Sequence, residues 1–255
     1  MSSGLASRAG RIAAQIGIVV AIFLFWEVAV QTGMANARVL PPPSLVLPRA
    51  VAMLGDPVVL YNLWITSAQV LLAFVLVAPI GIAIGLLLGE SDYFGRAFKP
   101  FFFFLASVPK SVFLPVFILA FGIGFTQKVA FGMFQAIFVL VISAIAAAES
   151  VSSDFLKTAR AYGASRRQLY LDIYLPAMLP VIVEGLRLGM IFNITGVLFA
   201  EMYVSRAGLG HLVSTWGMSF QMVNLFAGIL LAAALSIAVN EALRWYENKV
   251  GAWRG

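Results

Sequence analysis

Cysteine is absent from the 255 residues, and histidine occurs only once. The missing thiols exclude disulfides, iron–sulfur centres and cysteine nucleophiles, and one imidazole leaves little for a zinc site or an acid–base pair. Charged residues are scarce too, at 11% against about a quarter in soluble domains. These shortages count against a membrane-embedded enzyme, and we expect this chain to bind no cofactor or metal of its own.

Hydrophobic residues make up 62% of the chain, more than a soluble domain of this size can bury. The sequence therefore predicts an all-α integral membrane protein. Because a spanning helix needs about 20 apolar residues, we expect about six transmembrane helices. Their predicted ranges are 12–32, 63–88, 101–121, 129–148, 179–200 and 225–239, with the third interrupted by Pro109 and Pro115.

Basic residues orient the predicted spans. With the N-terminus inside, eleven Lys and Arg fall in inside segments and four in outside segments, namely Arg38, Arg49, Lys128 and Arg206. Cytoplasmic loops carry the excess of Lys and Arg, so both termini and the segment between spans four and five are predicted to be cytoplasmic. The net charge of +6 fits this bias better than nucleic-acid binding.

The chain is expected to be one transmembrane domain over residues 1–255. Residues 1–61 would hold the first span and an external connector, 62–240 a five-helix core, and 241–255 a cytoplasmic tail. The connector is polyproline-like at 40–44 and leads to a short helix near 48–54. A cleaved signal peptide ending at Ala35-Asn36-Ala37 stays open, although the long apolar run favours an uncleaved span.

The segment 150–178 contains several residues that typically start or end helices. Ser152, Ser153 and Asp154 can start a helix, and Gly163 can end it. Ser165 and Gln168 form a capping box that starts a second helix, which we expect Pro176 to stop. We call residues 157–176 the elbow. On physical grounds a protein-binding surface and a helix lying on lipid headgroups are about equally favoured.

The elbow resembles the coupling motif of ATP-binding-cassette importer permeases, E-A-A-x-x-x-G followed after nine residues by I-x-L-P. Lys157 and Thr158 depart from the first two positions, and Lys157 reverses the charge of the expected glutamate. "LPPPSLVL", "VPKSVFLPVFILAFGIG" and "AEMYVSRAGLGHL" are similar to segments of the nitrate, sulfonate and taurine branch. The ATPase-coupling positions carried over are Lys157, Ala159, Arg160, Gly163, Ala164, Ser165, Arg166, Ile173, Leu175 and Pro176.

The resemblance implies a permease subunit in the bacterial inner membrane that imports a small anionic solute such as nitrate, a sulfonate or taurine. A vitamin or aromatic precursor is the alternative solute within the family. The implied partners are a second copy of the chain, cytoplasmic ATPase subunits that hold ATP and Mg, and an extracytoplasmic binding protein. No G-x-x-x-x-G-K-[ST] phosphate loop occurs in the sequence, which agrees with a separate ATPase.

Polar residues within spans are functional hypotheses because they are costly in lipid. Lys110, Asn193, Thr195 and Glu201 are the candidates for the translocation pathway, with structural roles as the alternative for each. Glu184 and Arg187 lie three apart on one helix face and are expected to form an ion pair. A self-contained secondary transporter or channel is the rival function, but it would call for buried coupling carboxylates, often in repeated halves.

Overall fold

The computed structural model describes the backbone of residues 2–151 and 153–251, and the side chains of residues 10, 13–151, 157–165 and 167–245. Within these ranges every regular element is helical, which confirms the predicted all-α class. The α-helices are α1 (Ser2–Gln31), α2 (Pro43–Met53), α3 (Pro57–Glu90), α4 (Asp92–Ser107), α5 (Leu114–Phe121), α6 (Phe125–Glu149), α7 (Ser153–Ala161), α8 (Arg166–Gln168), α9 (Leu175–Tyr203), α10 (Leu209–Met218) and α11 (Met222–Gly251).

Five helical segments of the described chain are long and apolar enough to cross a membrane. They are Ala13–Gln31, Pro57–Glu90, Phe125–Glu149, Leu169–Tyr203 and Met222–Trp245. Helices α4 and α5, joined through a 3-10 turn at Lys110–Phe113, form a bent pair with an angle of 89°, and count as a sixth span if taken together. The break falls at Pro109, where the missing amide prevents a continuous helix. The expectation of about six spans with a broken third is therefore confirmed.

Two compact units divide the chain, and the first contains residues 1–60 and 212–231. In this unit the ring centroids of Trp26 and Phe226 lie 5.7 Å apart. Arg49 Nε donates to Asn224 Oδ1 over 2.7 Å. These contacts join α1 and α2 to the first turns of α11.

Helix α2 begins at Pro43, five residues before the predicted start at residue 48. Proline is well tolerated in the first turn, since its missing amide has no partner there in any helix. Pro42 keeps the extended conformation expected of the connector, with φ −69° and ψ 150°. The Ser44 amide and hydroxyl donate to the Glu27 carboxylate over 3.0 and 2.9 Å, so a side chain from α1 caps the start of α2.

The second unit contains residues 61–211 and 232–255, and its core is formed by α3, α6 and α9. Small residues bring these helices into close contact. A Cβ at Gly85 would lie 2.5 Å from both the Ala144 Cβ and the Val141 carbonyl oxygen, so glycine is required there. Helix α3 packs on α6 through a face of three glycines four residues apart, with Gly81, Gly85 and Gly89 against Leu140, Ala144 and Ala148.

Candidate functional site

The elbow contains the tight turn that its glycine predicts. Gly163 has φ +82°, the left-handed conformation that other residues adopt only with strain. Its amide donates to the Arg160 carbonyl, and the Ala164 amide donates to the Ala159 carbonyl, each over 3.0 Å. This pair of hydrogen bonds is a Schellman motif, which satisfies two carbonyls at the end of α7.

The second helix of the elbow starts with the expected capping box. The Ser165 amide donates to Gln168 Oε1 over 2.9 Å, and the Gln168 amide donates to Ser165 Oγ over 3.3 Å. Two otherwise free amides are therefore paired reciprocally. The end of α7 at Ala161 and the start of α8 at Arg166 are thus each defined by local hydrogen bonds.

The prediction that Pro176 stops the second helix is wrong. Residues Leu169–Tyr174 form a π-helical segment that runs directly into α9, with the Leu175 amide donating to the Tyr170 carbonyl five residues earlier. Pro176 lies where the π-helical segment passes into α9, and the change of hydrogen-bond register there accommodates a residue without an amide donor. The elbow is continuous with a candidate membrane span.

Exposure divides the elbow into an outer and an inner part. Tyr162, at the turn, is 88% exposed, whereas Leu169 is buried. The exposed matched positions are Lys157, Arg160, Gly163 and Ser165, and the half-buried ones are Ala159, Ala164, Ile173, Leu175 and Pro176. The side chain of Arg166 lies outside the described residues. The outer part is thus available to a partner, while the inner part is set into the helical core.

A buried carboxylate organises the other end of α9. Glu201 is completely buried, and its Oε1 accepts from the Thr66 hydroxyl over 2.8 Å while its Oε2 accepts from the Gly210 amide over 2.8 Å. The same Thr66 oxygen accepts from the Leu209 amide over 2.8 Å. Buried carboxylates need such donors, because removal from water is otherwise very costly. We call the cluster the clamp, and its members are Asn62, Thr66, Glu201, Gly208, Leu209 and Gly210.

The two glycines of the clamp leave room for the carboxylate. Gly208 has φ +114°, its amide donates to Asn62 Oδ1 over 2.6 Å, and a Cβ there would collide with the Glu201 carboxylate. A Cβ at Gly210 would lie 2.6 Å from the Leu198 carbonyl oxygen. The clamp therefore joins α3, α9 and the start of α10 with no space for larger residues. Glu201 thus orders the glycine loop that follows α9.

Sequence reasoning missed the α3 members of the clamp. Asn62 and Thr66 are buried polar residues four apart, hence on one helix face, near the start of an apolar span. That pattern was the available signal. Their partners lie 135 or more positions further along the chain, and such pairing is not readable from local sequence.

Lys128 was expected in the outside segment just before the fourth span. It lies within the helix itself, in the first turn of α6, and is 1% exposed. Next to it, Gln127 is fully buried, and neither of its amide atoms has a hydrogen-bond partner among the described residues.

The other predicted pathway residues are dispersed. Lys110 Nζ donates to the Ala106 carbonyl over 2.9 Å at the end of α4 and lies 5.5 Å from the Phe138 ring centroid. Asn193 is buried and donates to the Val70 carbonyl over 2.8 Å, whereas Thr195 is exposed. The structure does not bring them together with Glu201 into one pocket by any described contact, and their pathway roles stay predictions.

The predicted ion pair on α9 also stays a prediction. Glu184 is exposed, and Arg187 is half-buried with its Nε donating to Asn240 Oδ1 over 3.3 Å. This hydrogen bond connects α9 to α11 within the second unit.

Comparison with known proteins identifies the family. Residues 78–251 match the profile of the binding-protein-dependent transport system inner membrane component, and the chain belongs to that family. It is thus a membrane-spanning component of a binding-protein-dependent transport system.

Two relatives cover nearly the whole chain. The taurine transport system permease protein TauC of Escherichia coli is 28% identical over 246 residues, which is 94% of this chain and 89% of that protein. The putative aliphatic sulfonates transport permease protein SsuC of Bacillus subtilis is 28% identical over 233 residues, 91% of this chain and 84% of that protein. The fold resembles a chain of the inward-facing MetNI methionine ABC transporter, with a TM-score of 0.67 at 18% identity over 76% of this chain and 96% of that chain.

Proposed function

We propose that this chain forms the translocation pathway of an ATP-driven importer and that its elbow receives the motion of a separate ATPase subunit. The observation that carries the proposal is the construction of the elbow. A Schellman turn, a capping box and a continuous run into α9 make a stiff connection between an exposed surface and a candidate membrane span. Rigid-body coupling through an interface requires such stiffness.

The proposed assembly contains two copies of the chain, because each supplies one elbow and the ATPase acts as a pair. ATP and Mg would be held by the ATPase subunits, and an extracytoplasmic binding protein would deliver the solute. Closure of the ATPase pair around ATP would displace both elbows, and each elbow would move its own α9. The family description, which names binding-protein dependence, supports this division of labour.

We propose a small anion with a sulfonate-like group as the solute. The relatives named for taurine and aliphatic sulfonates support this class. An anion crossing an apolar bundle needs donors or cations to replace its water, and Lys110, Asn193 and Thr195 are the candidates within the predicted spans.

The test uses the complete transporter in lipid vesicles, with its ATPase and its binding protein. Gly163→Pro forces φ to about −65° and removes the hydrogen bond that the Gly163 amide donates to the Arg160 carbonyl. Stimulated ATP hydrolysis and uptake should therefore fall about tenfold or more. Gly33→Pro is the matched control. Like Gly163, Gly33 has a positive φ, +78°, donates an amide hydrogen bond to a carbonyl three residues earlier, that of Val30, and has open surroundings. It differs in position, because it follows α1.

Equal loss in both variants, or no loss at Gly163, would overturn the coupling role of the elbow. A solute panel of taurine, an alkanesulfonate, nitrate and a pyrimidine vitamin precursor tests the class. Uptake of the neutral precursor alone would replace the anion proposal by its alternative.

A further inference from the structure

Two tyrosines of the π-helical segment connect the elbow to other helices. Tyr170 and Tyr174 stack with ring centroids 5.6 Å apart. The Tyr170 hydroxyl donates to Glu90 Oε1 over 3.3 Å, and the Tyr174 hydroxyl donates to the Ala148 carbonyl over 3.3 Å. We propose that this pair, called the tyrosine tie, positions the elbow on α3 and α6 and sets how much solute is moved for each ATP hydrolysed. The proposal rests on the coupling role proposed for the elbow.

The acceptors of the tie suit a mechanical connection. Glu90 is the last residue of α3, and its carboxylate accepts from the Tyr170 hydroxyl. Ala148 lies in the last turn of α6, where carbonyls lack partners within the helix. The tie therefore contacts the ends of two helices at groups that can accept a hydrogen bond. Each tyrosine side chain has only two rotatable bonds, so the connection is stiff.

The two gripped helices are locked to each other at the same level. A Cβ at Gly89 would lie 2.5 Å from the Ala148 Cβ, so α3 and α6 touch one residue away from Glu90. Close-packed helices move together, because their interior contacts are not continuously deformable. A displacement of the elbow would thus act on the α3 and α6 pair as one body.

Helix α3 also carries part of the clamp. Glu90 and Thr66 are 24 positions apart on one continuous helix, a distance of about 36 Å at 1.5 Å per residue. Thr66 holds Glu201 and the Leu209 amide at the far end. One helix therefore connects the tie at one end to the clamp at the other, which gives the elbow a second connection besides α9.

The test measures solute uptake per ATP hydrolysed by the complete transporter in vesicles. Tyr170→Phe removes only the hydroxyl. The loss of one net hydrogen bond, about 1 kcal/mol, changes the equilibrium between correctly and incorrectly positioned elbows about fivefold, and uptake per ATP should fall by about that factor. Tyr93→Phe on α4 is the matched control, since Tyr93 is 76% exposed and its ring packs on Phe94. Glu90→Leu should match Tyr170→Phe, and Glu90→Gln, which keeps an acceptor oxygen, should restore most of the ratio.

The double variant Tyr170→Phe with Glu90→Leu distinguishes positioning from general damage. If both residues act through one hydrogen bond, the double variant loses no more than either single variant. Thermal stability and recovery of the ATPase with the permease are recorded for each variant, because a purely structural defect would lower these without changing uptake per ATP.

Three results decide the matter. Unchanged uptake per ATP in Tyr170→Phe and Glu90→Leu, with Gly163→Pro still uncoupled, would overturn the tie alone. Unchanged coupling in Gly163→Pro would overturn the coupling role and the tie together. Additive losses in the double variant would show that the two residues act separately, against the tie.

Discussion

Thr66→Val provides the sharpest test of the clamp. The substitution keeps the shape of the side chain and removes one hydroxyl, which donates to Glu201 and accepts from the Leu209 amide. A hydrogen bond to a charged group contributes about 1.5–3 kcal/mol, and a buried amide left unpaired costs about 1–3 kcal/mol. Since Thr66 is completely buried, water cannot replace the lost partner. We expect a loss of about 3–5 kcal/mol of stability.

Thr66→Ser separates the hydroxyl from the methyl group. Serine keeps both hydrogen bonds and loses one buried methyl, at a cost of about 1 kcal/mol. With about 2–4 °C per kcal/mol for a chain of this size, valine should lower Tm by about 6–20 °C and serine by about 2–4 °C. Thr32→Val is the control, because the exposed Thr32 hydroxyl donates only to carbonyls in the last turn of α1, those of Val28 and Ala29.

The assay is thermal unfolding of the purified chain in lipid–detergent micelles, followed by intrinsic tryptophan fluorescence at one heating rate. Equal Tm values for the valine and serine variants would refute the reasoning, since they would show that the hydroxyl contributes nothing to the buried carboxylate. A large shift in Thr32→Val would show that the substitution itself, and not the clamp, is responsible.

Three further predictions use the same stability assay or hydrogen exchange. Gly85→Ala should lower the stability by about 1–3 kcal/mol, because the new methyl group meets the backbone of α6, whereas Gly17→Ala in open surroundings should be neutral or stabilising. Equal Tm values for the two variants would contradict the close packing. Lys99→Ala removes a 2.6 Å ion pair with the half-exposed Glu149, and should lower the stability by less than about 1 kcal/mol, with no loss in about 1 M salt. A larger loss of stability that salt does not change would be inconsistent with a surface ion pair. Ser165→Ala should cost about 1 kcal/mol of local helix stability and accelerate amide exchange in the elbow, and unchanged exchange would argue against the capping box.

Local features were predictable from sequence because their interactions span only a few residues. The Gly163 turn and the Ser165–Gln168 box each connect positions within five residues of one another, and both were found where the pattern put them. The spans were predictable for a similar reason, since bilayer thickness fixes the length of an apolar run.

Features that depend on tertiary partners were not predictable. Lys128 beside an apolar run is typical of a loop residue, and its burial in the first turn of α6 depends on the tertiary packing around that helix. Pro176 reads as a helix stop, and it is tolerated because the preceding π-helical segment shifts the hydrogen-bond register by one residue. Each case needed a contact or a register that the local sequence does not encode.

Helix α3 is 34 residues long, which corresponds to about 51 Å, against a hydrocarbon thickness of about 30 Å. A rod of that length must tilt in the bilayer or extend into the headgroups, and the balance changes with acyl-chain length. Thinner lipids favour a larger tilt, and with it a different height for Glu90 and for the elbow attached to it. If the elbow couples transport as proposed, lipid composition is therefore a further variable that sets its efficiency.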